Sequence, residues 1–182
     1  MTARDLQPHL VRGLVAGVAG TSVMTAYQLV VQRIERSRAQ GDDTEPPTSP
    51  DSTDWSDAAA PAQVAVLAIG RVTRRPVRRR HEGLLTTVMH WGYGTTWGIA
   101  YAVAAGVAGR PSPIRGGATL CAAVLASDYT VLPALGVYRP AWRYPLATLT
   151  LDLSHHLVYG VGVAGTEAAL VRRGGRPVGR RS

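Results

Sequence analysis

Four apolar stretches, at about residues 10–31, 84–107, 116–137 and 146–171, constrain this chain more than any other feature. A helix needs about 20 apolar residues to cross a hydrocarbon core, and each stretch reaches that length. Arginine-rich connections separate them. The expected fold is therefore all-α: an integral membrane bundle of four transmembrane helices. Three of the stretches also carry His or Asp inside the apolar run. An ionisable group at that depth is costly, so His90, Asp128, Asp152, His155 and His156 need partners or a task.

The mean hydropathy is only +0.01, because the connection over residues 34–83 is long and polar. Outside it the chain is dominated by Leu, Val, Ala and Gly. Every basic side chain other than His is Arg, and Lys, Asn and Phe are absent. The codons for those three are AT-rich, so this usage points to a high-GC bacterial genome. A net charge of +8 invites a nucleic-acid reading, but the arginines flank apolar segments and form no basic helix with interleaved aromatics. They fit the ends of membrane spans instead. A single Cys121 excludes an intramolecular disulfide and a Cys-based metal site. The first stretch contains Thr21, Thr25 and Gln28, and no Ala-x-Ala site follows it closely, so it is expected to be retained rather than cleaved.

Small residues recur every four positions in two stretches: Gly13, Gly17 and Thr21 in the first, and Gly94, Gly98, Ala102 and Gly106 in the second. Such faces let helices approach closely. Residues 36–61 are rich in Asp and Pro and are expected to form a disordered linker. The short apolar patch at 62–69, followed by a run of arginines, suits an interfacial helix. Pro133 is expected to kink the third span near its end. The loop YRPAWRYP at 138–145 has a headgroup-region composition. Four spans put both termini on one side. The arginines divide too evenly between the sides to orient the bundle.

Depth is the useful calculation. With a rise of 1.5 Å per residue, His90 and Asp152 lie about 9 Å into their spans, and Asp128 and His156 about 14–15 Å. Three spans thus place these groups in one slab, and Thr25 and Gln28 of the first span fall near it. Asp152, His155, His156 and Tyr159 share one helix face, as do His90, Tyr93, Gly94, Trp97 and Gly98. A short local repeat relates the two: His90-x-x-Tyr93-Gly94 and His156-x-x-Tyr159-Gly160.

Several chemistries fit such a cluster. Interhelical hydrogen bonds that hold the bundle together are the plainest. A proton relay is another. A metal site would use His90, Asp128, Asp152 and His156 as its four ligands. A bis-histidine haem pairing of His90 with His155 or His156 is disfavoured by their unequal depth. There is no GxSxG elbow and no P-loop. Ser154 reads as a packing serine and Glu167 as a solvated group near the headgroups. Asp152 is the expected anchor of the cluster.

Three segments carry a family resemblance: AGVAGTSVMTAYQ at 16–28, HWGYGTTWG at 90–98 and HHLVYG at 155–160. Together they resemble small bacterial inner-membrane proteins grouped loosely as YagU-like. The resemblance implies a multi-pass protein of the bacterial inner (plasma) membrane and supplies no catalytic residue or cofactor. The expected function is that of a small integral membrane protein of structural or accessory type, without its own catalysis. The alternative is a proton- or metal-ion-handling protein using the cluster. The expected surroundings are the lipid bilayer and no nucleic acid, with a protein partner or self-association left open.

Overall fold

A computed structural model describes residues 3–38 and 49–174. Five α-helices form within them: α1 Ala3–Arg38, α2 Ala60–Thr73, α3 Glu82–Ala108, α4 Pro113–Ala134 and α5 Leu146–Gly174. Two 3₁₀ turns, Arg79–His81 and Ala141–Arg143, complete the structure, and no strand occurs among the described residues. All four long helices overlap the four apolar stretches. The all-α expectation therefore holds.

Local chemistry sets the helix ends. At α4, the Ser112 hydroxyl accepts the Arg115 backbone N–H and Pro113 opens the first turn. The expected kink at Pro133 is a helix end instead. The helix stops at Ala134, and Gly136, at φ +74°, turns the chain with its N–H on the Pro133 carbonyl.

The bundle is ordered around α1 and α5. Helix α1 packs against both α3 and α5, α5 packs against α4, and α2 lies on α3. Helices α3 and α4 scarcely touch. Glycine makes two of the crossings. A Cβ on Gly98 would fall onto the Gly17 backbone of α1, and one on Gly117 of α4 would fall onto the Gly160–Val161 backbone of α5. The small faces read from Gly13, Gly17, Gly94 and Gly98 are the α1–α3 crossing.

What faces inward is small and what faces outward is large. On α1, Gly13, Ala16, Gly17, Gly20, Thr21 and Met24 are buried, while Leu10, Leu14, Val15, Val18 and Val23 are exposed. On the other long helices, Val88, Val107, Val131, Leu153 and Leu157 are likewise exposed. Two helices, Leu6–Arg38 within α1 and Pro113–Ala134, are long and apolar enough to cross a membrane. Helices α3 and α5 are as long or longer than α4. They carry His90, Asp152, His155, His156 and Glu167, which lower their average hydropathy.

The linker expectation needs correction where it can be followed. Residues 39–48 lie outside the described residues, and α1 itself runs through Arg38. Residues 49–61 are packed rather than disordered. Trp55 is buried with Ala58 and Ala62 and donates its indole N–H to the Val77 carbonyl at 3.0 Å. Arg79 lies 5.3 Å from the Trp55 ring centre and pairs with Asp57 at 2.7 Å and Glu82 at 3.0 Å. The backbone N–H groups of Arg79 and Arg80 bond the carbonyls of Ser52 and Pro50. One tryptophan and one buried arginine thus organise a stretch whose composition is that of a linker. Exposed Asp54 accepts the Ser56 backbone N–H, which holds its carboxyl below the usual range. We predict that Arg79→Ala releases this segment, since hydrogen bonds to charged groups contribute about 2 kcal/mol. Faster proteolysis within 49–61 and a red-shifted Trp55 emission would show it. Unchanged cleavage would mean that the Trp55 contacts suffice alone.

Candidate functional site

Helices α3 and α4 are each held by a different neighbour, α3 by α1 and α4 by α5, so a gap remains between them. That gap is a cavity of about 340 Å³. Met24 of α1, Trp97 of α3, and Val124, Val131 and Leu132 of α4 give it apolar walls. Ala60, Pro61 and Val64 of α2 also line it, so the helix expected at the interface covers this cavity as well.

His90, Asp128, Asp152 and His156 all border the cavity, but they do not behave alike. His156 stands between the two carboxylates, Nδ1 3.2 Å from Asp152 and Nε2 3.5 Å from Asp128. Its Nδ1 is also 2.8 Å from the Asp152 carbonyl, the i,i+4 contact of the helix. Tyr93 of α3 donates to Asp128 at 2.6 Å. Tyr129 of α4 donates to Asp152 at 2.9 Å. The result is a chain, Tyr93–Asp128–His156–Asp152–Tyr129, that ties α3, α4 and α5 together. His156 stands at its centre, and Asp152, the expected anchor, is one of the two carboxylates it bridges.

The remaining histidines go elsewhere. His90 Nε2 is 3.2 Å from the Thr25 hydroxyl and links α3 to α1. His155 lies edge-on to Tyr27 of α1, with ring centres 5.5 Å apart, and its buried Nε2 has no hydrogen-bond partner. Ser154 accepts from Tyr27 and donates to the Leu151 carbonyl, a packing role. The three histidines therefore make three different sets of contacts. Among the described residues no group of three or more His, Cys, Asp or Glu is placed to hold a metal ion. The four residues expected as ligands thus border one cavity as a hydrogen-bonded network, with His90 bonded outside it. Tyr93 and His156 each bond Asp128, and Tyr129 and His156 each bond Asp152.

Toward the end of the bundle that holds the α3–α4 turn, the core is closed. Tyr159 donates to the Gly94 carbonyl at 2.5 Å, locking α5 to α3. Beyond it Val163 and Ala164 are fully buried, with Ala16 and Leu120 in the same core. Only past this apolar layer does another acid occur. Glu167 is not solvated, as its sequence position implied. It is 2% exposed and pairs with Arg110 at 3.3 Å. Burial between helix ends reversed that reading, because the α3–α4 turn carries Arg110 over it.

Sequence reasoning missed Tyr129, Tyr138 and the role of α2. Tyr129 had a signal, since it adjoins Asp128 within an apolar run. Tyr138 was read as a headgroup residue but reaches the cavity and packs with Tyr129 and Tyr144. Burial pushes its phenol up to about 12, with Asp152 and Asp128 adding to the effect, so it stays a neutral hydroxyl.

Comparison with protein-family models, curated proteins and solved structures yields no match to this chain. Its function is therefore argued from its own geometry.

Proposed function

We propose that the chain is a small integral membrane protein with four spans, α1, α3, α4 and α5, seated in a bacterial inner membrane, and that its role is structural or accessory rather than catalytic. The reversed distribution of side chains carries this reading. Glycine and alanine fill the helix crossings while leucine and valine face outward on all four long helices. In water that arrangement would leave much apolar area unburied, at about 25 cal/mol per Å². In lipid it is the ordinary one. Of the polar residues that depress the hydropathy of α3 and α5, His90, Asp152, His156 and Glu167 are paired within the bundle. The YagU-like resemblance of the three motifs belongs to the same proposal.

A proton- or metal-ion-handling role is the second reading, favoured by the cavity that reaches the Asp–His–Asp chain. The apolar layer of Val163 and Ala164 argues against a continuous polar path across the bundle. The test is to purify wild type and Asp152→Asn in detergent and to measure bound metal and melting. The accessory reading expects no stoichiometric metal and nearly equal melting, because the amide still accepts from Tyr129. Stoichiometric metal in wild type that is lost in Asp152→Asn would overturn it.

A further inference from the structure

The cavity between α3 and α4 has three properties that bear on what it takes. First, its volume of about 340 Å³ falls in the range of small-molecule sites and far exceeds what an ion needs. Second, its walls are mostly apolar and include Trp97 and Tyr93, whose rings meet edge to face at 6.1 Å. Third, its polar end does not balance. Asp128 and Asp152 are two carboxylates, and the imidazole between them is one group. With both carboxylates ionised, even a protonated His156 leaves one negative charge. Among the described residues no Arg lines the cavity, and the other imidazole there, His90, is hydrogen-bonded to Thr25. An uncompensated negative charge beside apolar walls attracts a cation.

We propose that this cavity binds a lipophilic organic cation, a quaternary ammonium or protonated amine with apolar substituents. The positive centre sits against Asp128 and Asp152, and the apolar body lies along the α3 and α4 walls. Trp97 and Tyr93 add attraction through their ring faces. A bare metal ion matches neither the volume nor the walls. A neutral lipid tail matches the walls and leaves the carboxylates unanswered. Ala60, Pro61 and Val64 of α2 line the cavity as well. The inference rests on the membrane placement proposed above but not on the accessory role.

Two ions of nearly identical shape and opposite charge isolate the electrostatic claim: tetraphenylphosphonium and tetraphenylborate. Binding of each to the full chain in lipid nanodiscs would be followed by Trp quenching and by the shift of the melting transition, against empty nanodiscs. The expected result is saturable tetraphenylphosphonium binding at least about tenfold tighter than tetraphenylborate, with an upward melting shift for the cation alone. Asp128→Asn and Asp152→Asn should each weaken cation binding by about tenfold while retaining a cooperative melting transition. Equal binding of the two ions, tighter borate binding, or no saturable site would overturn the proposal. So would Asn variants that bind like wild type. The contrast of ions in wild type needs no variant, so a variant that fails to fold leaves the test intact. If the chain behaves as an integral membrane protein yet does not distinguish the ions, this inference falls and the membrane reading stands.

Discussion

Replacing Asp152 with Leu should destabilise the bundle by about 3 kcal/mol or more, the usual effect of removing one partner from a buried charged network. Leucine has the same branching and a larger volume, so the loss is not a cavity effect. It comes from what is left behind. His156 loses a carboxylate 3.2 Å away, and the Tyr129 hydroxyl loses its acceptor. Both would remain inside the bundle, where an unpaired polar group costs about 1–3 kcal/mol. Asp152→Asn keeps an acceptor and should melt close to wild type. Melting curves of the three proteins in one detergent would decide it. If Asp152→Leu melted like wild type, the network would contribute nothing to the fold.

An effect of similar size is expected at the α1–α3 crossing. Gly98→Leu would drive a side chain into the Gly17 and Gly13 backbone of α1. No rotamer avoids backbone atoms there, so the two helices must separate, and the loss should again be about 3 kcal/mol or more. Gly92 provides the control on the same helix, because a Cβ there meets nothing within 4 Å. Gly92→Leu should be neutral or slightly stabilising, since leucine favours the helix over glycine by about 0.8 kcal/mol. Equal melting of the two variants would show that α3 does not pack on α1 through this face.

The parts of the fold legible in the sequence were those set by period and length. The four apolar runs gave the four long helices. The four-residue recurrence of Gly13, Gly17, Gly94 and Gly98 gave a crossing, because a helix face follows directly from spacing. Depth brought Asp128, Asp152 and His156 together, since a helix converts residue number into distance. What stayed hidden depended on which helices are neighbours. The cavity exists because α3 and α4 fail to meet, and no local pattern encodes that. Glu167 and Arg110 lie on different elements, and their pairing required the α3–α4 turn to fold over α5. The packing of Trp55 under Arg79 was obscured by the Asp and Pro around it.

The four-span arrangement is tested most directly by the side on which each connection lies. Helices α1 and α4 alone would already place residues near 53 opposite the C-terminal end, so that pair of positions does not discriminate. The turns at 109–112 and 135–145 do. In a Cys121→Ser background, single cysteines at Thr53, Pro111 and Trp142, all exposed, can be labelled with a membrane-impermeant maleimide in intact spheroplasts and in inverted vesicles. Four spans predict that Thr53→Cys and Trp142→Cys label from one side and Pro111→Cys from the other. Labelling of Pro111→Cys from the same side as Thr53→Cys would mean that α3 does not cross, and the four-span bundle would be wrong.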